Sequence, residues 1–173
     1  AAAAVVDVGS DLPRESPGAA VHTGSLVDSD TAFAVDLYQA LRDEGDGGNL
    51  FFSPYSVTVA LGMTLAGARG DTHDQMAAAL GVTDAEEWHT QRNVLDQALL
   101  EERHMWEGAR NLQPLELSIA NSTWGQAGYP FLPAYLDLLA RHYGAGLRTV
   151  DFEGAPEESR TAVNYWVDDA TEG

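Results

Sequence analysis

The chain contains no cysteine and no lysine. Its nine basic residues are all arginine, at positions 14, 42, 69, 92, 103, 110, 141, 148 and 160. Against them stand 27 acidic residues, for a formal net charge of -18 and an isoelectric point near 4.3. Without Cys there is no disulfide, thiolate nucleophile or thiolate metal site, although this leaves the compartment open. The scarcity of positive charge excludes nucleic-acid binding through a basic surface, because the phosphate backbone is repelled. Docking on anionic lipid is disfavoured for the same reason. Long apolar runs are also missing: Val57–Ala68, the longest mostly apolar stretch, falls far short of the ~20 residues that a membrane-spanning helix needs.

What is present is an ordinary globular composition, 45% hydrophobic over 173 residues. As a prior this length suggests one domain, able to bury roughly 70% of its unfolded surface. The acidity is therefore not that of a disordered tail. A GC-rich genome that writes Arg for Lys explains the missing lysine but not 27 acids against 9 bases. A protein working in concentrated salt explains both, since carboxylates hold water at the surface and their repulsion is screened. The halophilic reading is preferred.

Residues 1–29 are small and polar, hold Pro13 and Pro17, have no aromatic residue and show no lasting periodicity. They read as a flexible leader or linker. The opening Ala1–Val6 run suits the remnant beside a cleaved signal peptide, so secretion is expected, with no full signal peptide present. Periodicity begins at Asp30, with Phe33, Leu37 and Leu41 in helical step, Ser29 or Asp30 as N-cap and Gly45–Gly48 as the stop. Leu50-Phe51-Phe52 reads as a buried strand. Ser53-Pro54 opens a second helix, Ser capping and Pro in the first position. Thr72-His73-Asp74-Gln75 and Thr83-Asp84-Ala85-Glu86 read as capping boxes for two more, the second carrying Trp88, Leu95, Leu99 and Trp106. Leu115–Trp124 opens with the alternation of a half-buried strand, and Leu147–Phe152 is another short strand. Helices are expected over Pro130–Tyr143, stopped by Gly144, and from Pro156 onward. About six helices and three scattered strands result. Lone strands cannot satisfy their own backbone, so this pattern demands sheet partners that the chain hardly contains.

No chemistry emerges from local motifs. Around His73 the capping box accounts for Thr72 and Gln75, and the neighbouring acids suit a helix start rather than a metal site. His89 and His104 lie too far apart on one helix to share an ion. His142 fits the rim of a packed face, its polar tip reaching water. Ser53 and Ser56 lack a Gly-x-Ser-x-Gly elbow and a local base, and Ser53 reads as a cap. The acid pairs Glu86-Glu87, Glu101-Glu102, Glu157-Glu158 and Asp168-Asp169 are sequence neighbours on helices, about 100° apart around the axis, and read as solvated faces. Neither a catalytic group, a metal site nor a cofactor loop is indicated; the chain does not read as an enzyme.

A set of ordered blocks points elsewhere. Asn49-Leu50-Phe51-Phe52-Ser53-Pro54-Tyr55-Ser56 resembles the strand-to-helix signature of the serpins. The resemblance continues through Gly67-Ala68-Arg69-Gly70-Asp71-Thr72, Gln75-Met76 and Leu80, then Val150-Asp151-Phe152, Val163–Val167 and Thr171-Glu172-Gly173. The block Ile119–Gln126 is similar to bacterial and archaeal members. The resemblance implies an α+β serpin fold over residues 30–173, represented by its N-terminal part: helices A to F, strand 6 of sheet B and strands 2 and 1 of sheet A.

The resemblance further implies a suicide-substrate inhibitor of a serine or cysteine protease, in which a cleaved bait loop inserts into sheet A. Ser53 and Ser56 would belong to the shutter where that sheet opens, and Asn164 and Trp166 to the helix that covers it; these roles are conformational. The bait residue and loop hinge lie outside this chain, which reads as an N-terminal fragment. A non-inhibitory serpin acting as a binding or chaperone-like module, or a fragment without autonomous activity, are the alternatives. Asp84–Glu107 carries no basic cluster, so no heparin-type polyanion partner is expected.

Overall fold

The computed structural model describes residues 4–18, 21–45, 47–105 and 120–171. The chain divides into two compact units, Ser16–Ala98 and Ala1–Glu15 with Leu99–Gly173.

The Ser16–Ala98 unit is helical, built from α1 (Gly24–Glu44), α2 (Pro54–Gly67), α3 (Gly70–Ala79) and the first part of α4 (Ala85–Met105). Leu26, Met63, Leu65, Leu80 and Trp88 are buried in its core, each stabilising the unit by roughly 2 kcal/mol through removal of apolar surface from water. Gly62 on α2 is buried as well. α1 begins at Gly24 and not near Asp30 as the local pattern suggested. The reason is a cap from far along the chain: Gln91 Oε1 accepts from the Leu26 backbone N–H (3.1 Å) and from Ser25 Oγ (3.0 Å). An orphan amide of the first turn is thereby satisfied by α4. Asp30 thus lies inside the helix and caps nothing.

Both expected capping boxes shift. Asp84, and not Thr83, caps α4, its carboxylate accepting from Glu87 N at 3.0 Å. Thr72 is already within α3, whose N-cap is Arg69 without a side-chain bond. Leu50-Phe51-Phe52 forms no strand, and Phe51 is wholly exposed at 102%. No strand edge among the described residues lies alongside it, and a strand without a partner leaves its backbone groups unpaired.

The other unit is a three-stranded sheet with two helices: β1 (Val6–Val8), β2 (Thr123–Gln126), α5 (Pro133–Leu138), β3 (Leu147–Val150) and α6 (Pro156–Thr171). The strand order is β1-β3-β2. β2 and β3 are parallel, and parallel neighbours need a crossover, here supplied by α5. α5 continues as a π-helical turn over Leu139–Tyr143 and stops at Gly144 in the left-handed conformation (φ 60°). Pro133 holds its first position, so the helix starts three residues after Pro130. Leu147, Thr149 and Val150 of β3 are buried on both faces, as befits the central strand.

Two further expectations change here. The segment 1–29, expected to be a flexible leader or linker, contributes β1, which pairs antiparallel with β3 through Val6↔Thr149, Asp7↔Arg148 and Val8↔Leu147. The short Val-Asp-Val alternation suits an edge strand once a neighbour offers its backbone. β2 lies at Thr123–Gln126, at the end of the expected Leu115–Trp124 strand, of which residues 115–119 fall outside the described set.

Gly144 shows how the chain turn is protected: an added Cβ would meet Arg14 Cδ at 2.8 Å. Gly128 shares the positive φ (77°) but faces open space. Gly144→Ala should therefore destabilise the protein by about 1–2 kcal/mol from the left-handed backbone alone, and by more than Gly128→Ala. Urea midpoints of the two variants check this; equal midpoints would remove any role for the Arg14 contact.

Candidate functional site

The four residues assigned conformational roles fall in different units. Ser53 and Ser56 stand at the start of α2, where Ser53 Oγ accepts from Ser56 N at 3.2 Å with Pro54 following, as the sequence indicated. Tyr55, between them, ties this helix start to α4: its hydroxyl donates to Asp96 Oδ1 at 2.8 Å. Beside it lies Arg92, whose guanidinium carbon is 5.5 Å from the Tyr55 ring and 4.7 Å from the Trp88 ring. The Arg92 side chain is 1% exposed and its carboxylate partner Asp30 is 19% exposed, at 2.5 Å. Arg92 Nε and Nη1 have no hydrogen-bond partner among the described residues. One carboxylate and two aromatic faces therefore hold this buried cation.

The local motif search missed Arg92, although a signal existed. It is in helical step with Trp88, Leu95 and Leu99, so an arginine interrupts the apolar face of α4. Its partner Asp30 is hidden because Ser29-Asp30 has the local form of an N-cap.

In the sheet-containing unit, Trp166 of α6 meets Trp124 of β2 edge-on, ring centroids 6.2 Å apart. The Arg148 guanidinium lies over both indoles, at 4.9 Å from Trp166 and 5.7 Å from Trp124. This cation-aromatic stack docks α6 against β2 and β3. Asn164, two residues earlier, is exposed. The half-buried Tyr135 phenol is pushed above its ordinary range by burial, opposed by a hydrogen bond with Thr123. After β3, Asp151 accepts from Gln126 Nε2 (2.9 Å) and Gly154 N (2.8 Å), which hold its carboxyl below the usual range.

The histidines carry no assembled chemistry among the described residues. His73 Nδ1 lies 3.1 Å from Asp74 Oδ1 on an exposed helix face. His89 is buried edge-on against Trp88. His142 is 4% exposed rather than placed on a rim, and is buried together with Leu139 and Ala140 of the π-helical turn. No group of three or more metal-ligating side chains is found among the described residues. Nor is any described helix long and apolar enough to cross a membrane. Both sites are packing clusters around a cation, suited to holding elements in place.

A family model described as serpin (serine protease inhibitor) matches residues 28–173. The chain belongs to the serpin family, and its α+β fold is the serpin fold. Leukocyte elastase inhibitor of Sus scrofa is 39% identical over 145 residues, covering 84% of this chain and 36% of that protein. The Homo sapiens protein of the same name is 36% identical over 148 residues, 86% of this chain and 37% of its own length. A solved structure of a tumour-suppressing serpin superposes with a TM-score of 0.72 at 23% identity, over 86% of this chain and 39% of that one. Uncleaved ovalbumin follows with a TM-score of 0.69 at 24% identity, over 87% and 38%. At such identities the structures show the fold alone. The chain thus spans about a third of the length of the curated relatives it matches. These relatives come from vertebrates and lend no support to the bacterial or archaeal type suggested by Ile119–Gln126.

Removing one partner of the Arg92–Asp30 pair strands a buried charge, whereas replacing both with apolar groups does not. Asp30→Ala should lower stability by about 3 kcal/mol, and Asp30→Leu with Arg92→Met by distinctly less. Urea denaturation of the two variants measures this; a double variant as unstable as the single would show that the ring contacts, and not the charge pair, dominate.

Proposed function

We propose that the full-length protein is a serine protease inhibitor that acts as a suicide substrate, and not an enzyme. The observation that carries this reading is the serpin family match over residues 28–173. Relatives named as leukocyte elastase inhibitors support an elastase-like serine protease as target class. In this reading the protease attacks a bait loop outside the present residues, and the acyl-linked loop then enters the sheet as an added strand. Cysteine proteases are a second target class on the same mechanism.

Ser53 and Ser56 would act in the shutter. The cap geometry at α2, with Tyr55 bound to Asp96, supports a fixed pivot there. Trp166 would hold the covering helix through Arg148 and Trp124, while the exposed Asn164 would meet parts of the protein outside these residues. A serpin domain from residue 30, secretion, and membership of the bacterial and archaeal branch belong to the same proposal. Their support is the opening small residues, the Ile119–Gln126 block and the lysine-free composition.

Incubating the full-length protein with elastase-, chymotrypsin-, subtilisin- and trypsin-like proteases should yield a denaturant-resistant covalent complex with one of them. Cleaved inhibitor beside free, active protease would instead assign the protein to the non-inhibitory serpins that bind or chaperone. The acid excess makes a separate prediction. In molar salt the Debye length shrinks to about 3 Å, so repulsion among the 27 acids should fall. The thermal midpoint of the full-length protein should rise between low and molar sodium chloride; a falling midpoint would leave composition bias as the cause of the acidity.

A further inference from the structure

The segment Val5–Glu15 lies outside the residues matched by the family model, which begin at 28, yet it is fastened along β3 and the π-helical turn. Three ladder pairs join β1 to β3. Thr149 Oγ1 donates to Val6 O at 3.1 Å, and Arg148 Nε to Asp7 Oδ1 at 3.3 Å. Further along, Glu15 N donates to Arg141 O at 2.9 Å and the Glu15 carboxylate pairs with Arg141 at 2.5 Å. Arg14 reaches His142 O at 3.4 Å.

Almost none of this is burial. Val5 and Val6 are 43% and 54% exposed, and the Asp7 side chain is 82% exposed. Main-chain bonds and screened charge pairs, not an apolar face, hold the segment. Such a strand is at the low-stability end of a fold and opens locally before the rest. When it opens, β3 presents a free edge on a strand whose two faces are already packed, by Leu147 and Thr149 on one side and Val150 on the other. A free strand edge is a template for an extended chain.

We propose that residues 5–15 are a detachable edge strand, and that the edge of β3 they cover is a docking site for an extended acidic peptide. The chemistry of the occupant follows from the occupied state. A β-branched residue, an acid and a second β-branched residue lie opposite Thr149, Arg148 and Leu147. A second acid eight positions after the first meets Arg141. The acids fix register against two of the few cations of a chain with charge -18; the main chain supplies the rest of the affinity.

The test uses the full-length protein lacking residues 1–15 and a labelled peptide of the sequence Ala4–Glu15. Fluorescence anisotropy should show saturable binding with Kd below about 1 mM, about −4 kcal/mol. The peptide with Glu15→Arg should bind at least threefold more weakly, and protein carrying Arg141→Glu should restore it. Absence of saturable binding, or equal affinity of both peptides for both proteins, overturns the proposal. Should the truncated protein not fold, hydrogen exchange on the intact chain decides. The ladder amides that β1 and β3 share should exchange faster than those that β2 and β3 share, and faster still in Asp7→Lys. Equal protection of both ladders would mean that β1 is a permanent strand and no docking site exists.

Discussion

β3 has hydrogen-bonding groups on both edges and buried side chains on both faces, and a strand in that position cannot stand alone. Its parallel neighbour β2 forces the chain through a crossover, which is α5 with its π-helical turn. Its other edge draws in β1 from the far end of the chain. The Arg148 side chain then lies over two indoles, so that α6 is docked by the same strand that organises the sheet. Sheet, crossover, edge strand and covering helix all follow from satisfying the four residues of β3.

The helical unit obeys a different constraint. Arg92 is an arginine inside an apolar face, and a buried guanidinium must find a carboxylate or be expelled. Asp30 supplies the charge, and Trp88 and Tyr55 supply ring faces. The neighbouring Gln91 caps α1. One turn of α4 therefore sets both where α1 begins and how the Ser53–Ser56 helix start is held.

Much of this was legible in the residues. Ser53-Pro54 opened α2, Gly144 ended the crossover and Pro156 opened α6, because each depends on the backbone preferences of one residue. The family followed from ordered blocks, since a long motif string in one register has few other origins. What was misread shares one cause. Asp30 looks like a cap until Gln91, sixty-five residues away by contact with Leu26, takes that task. Leu50-Phe51-Phe52 looks like a buried strand because its composition records a partner that no described residue provides. Val6-Asp7-Val8 is too short to register as a strand without β3 beside it.

By itself the sequence determined the helix boundaries that rest on Pro, Gly and Ser, the absence of thiol chemistry, the acidic net charge, and the family. These depend on local dihedral preference, on charge and on the order of motifs, all of which can be read along a single line. The tertiary structure alone decided which strand lies central, where the buried cation finds its carboxylate, and that the first residues complete a sheet edge. Each of those depends on an atom contributed by a residue distant in the chain, and a hydrogen bond or ion pair between distant residues leaves no mark in the neighbourhood of either.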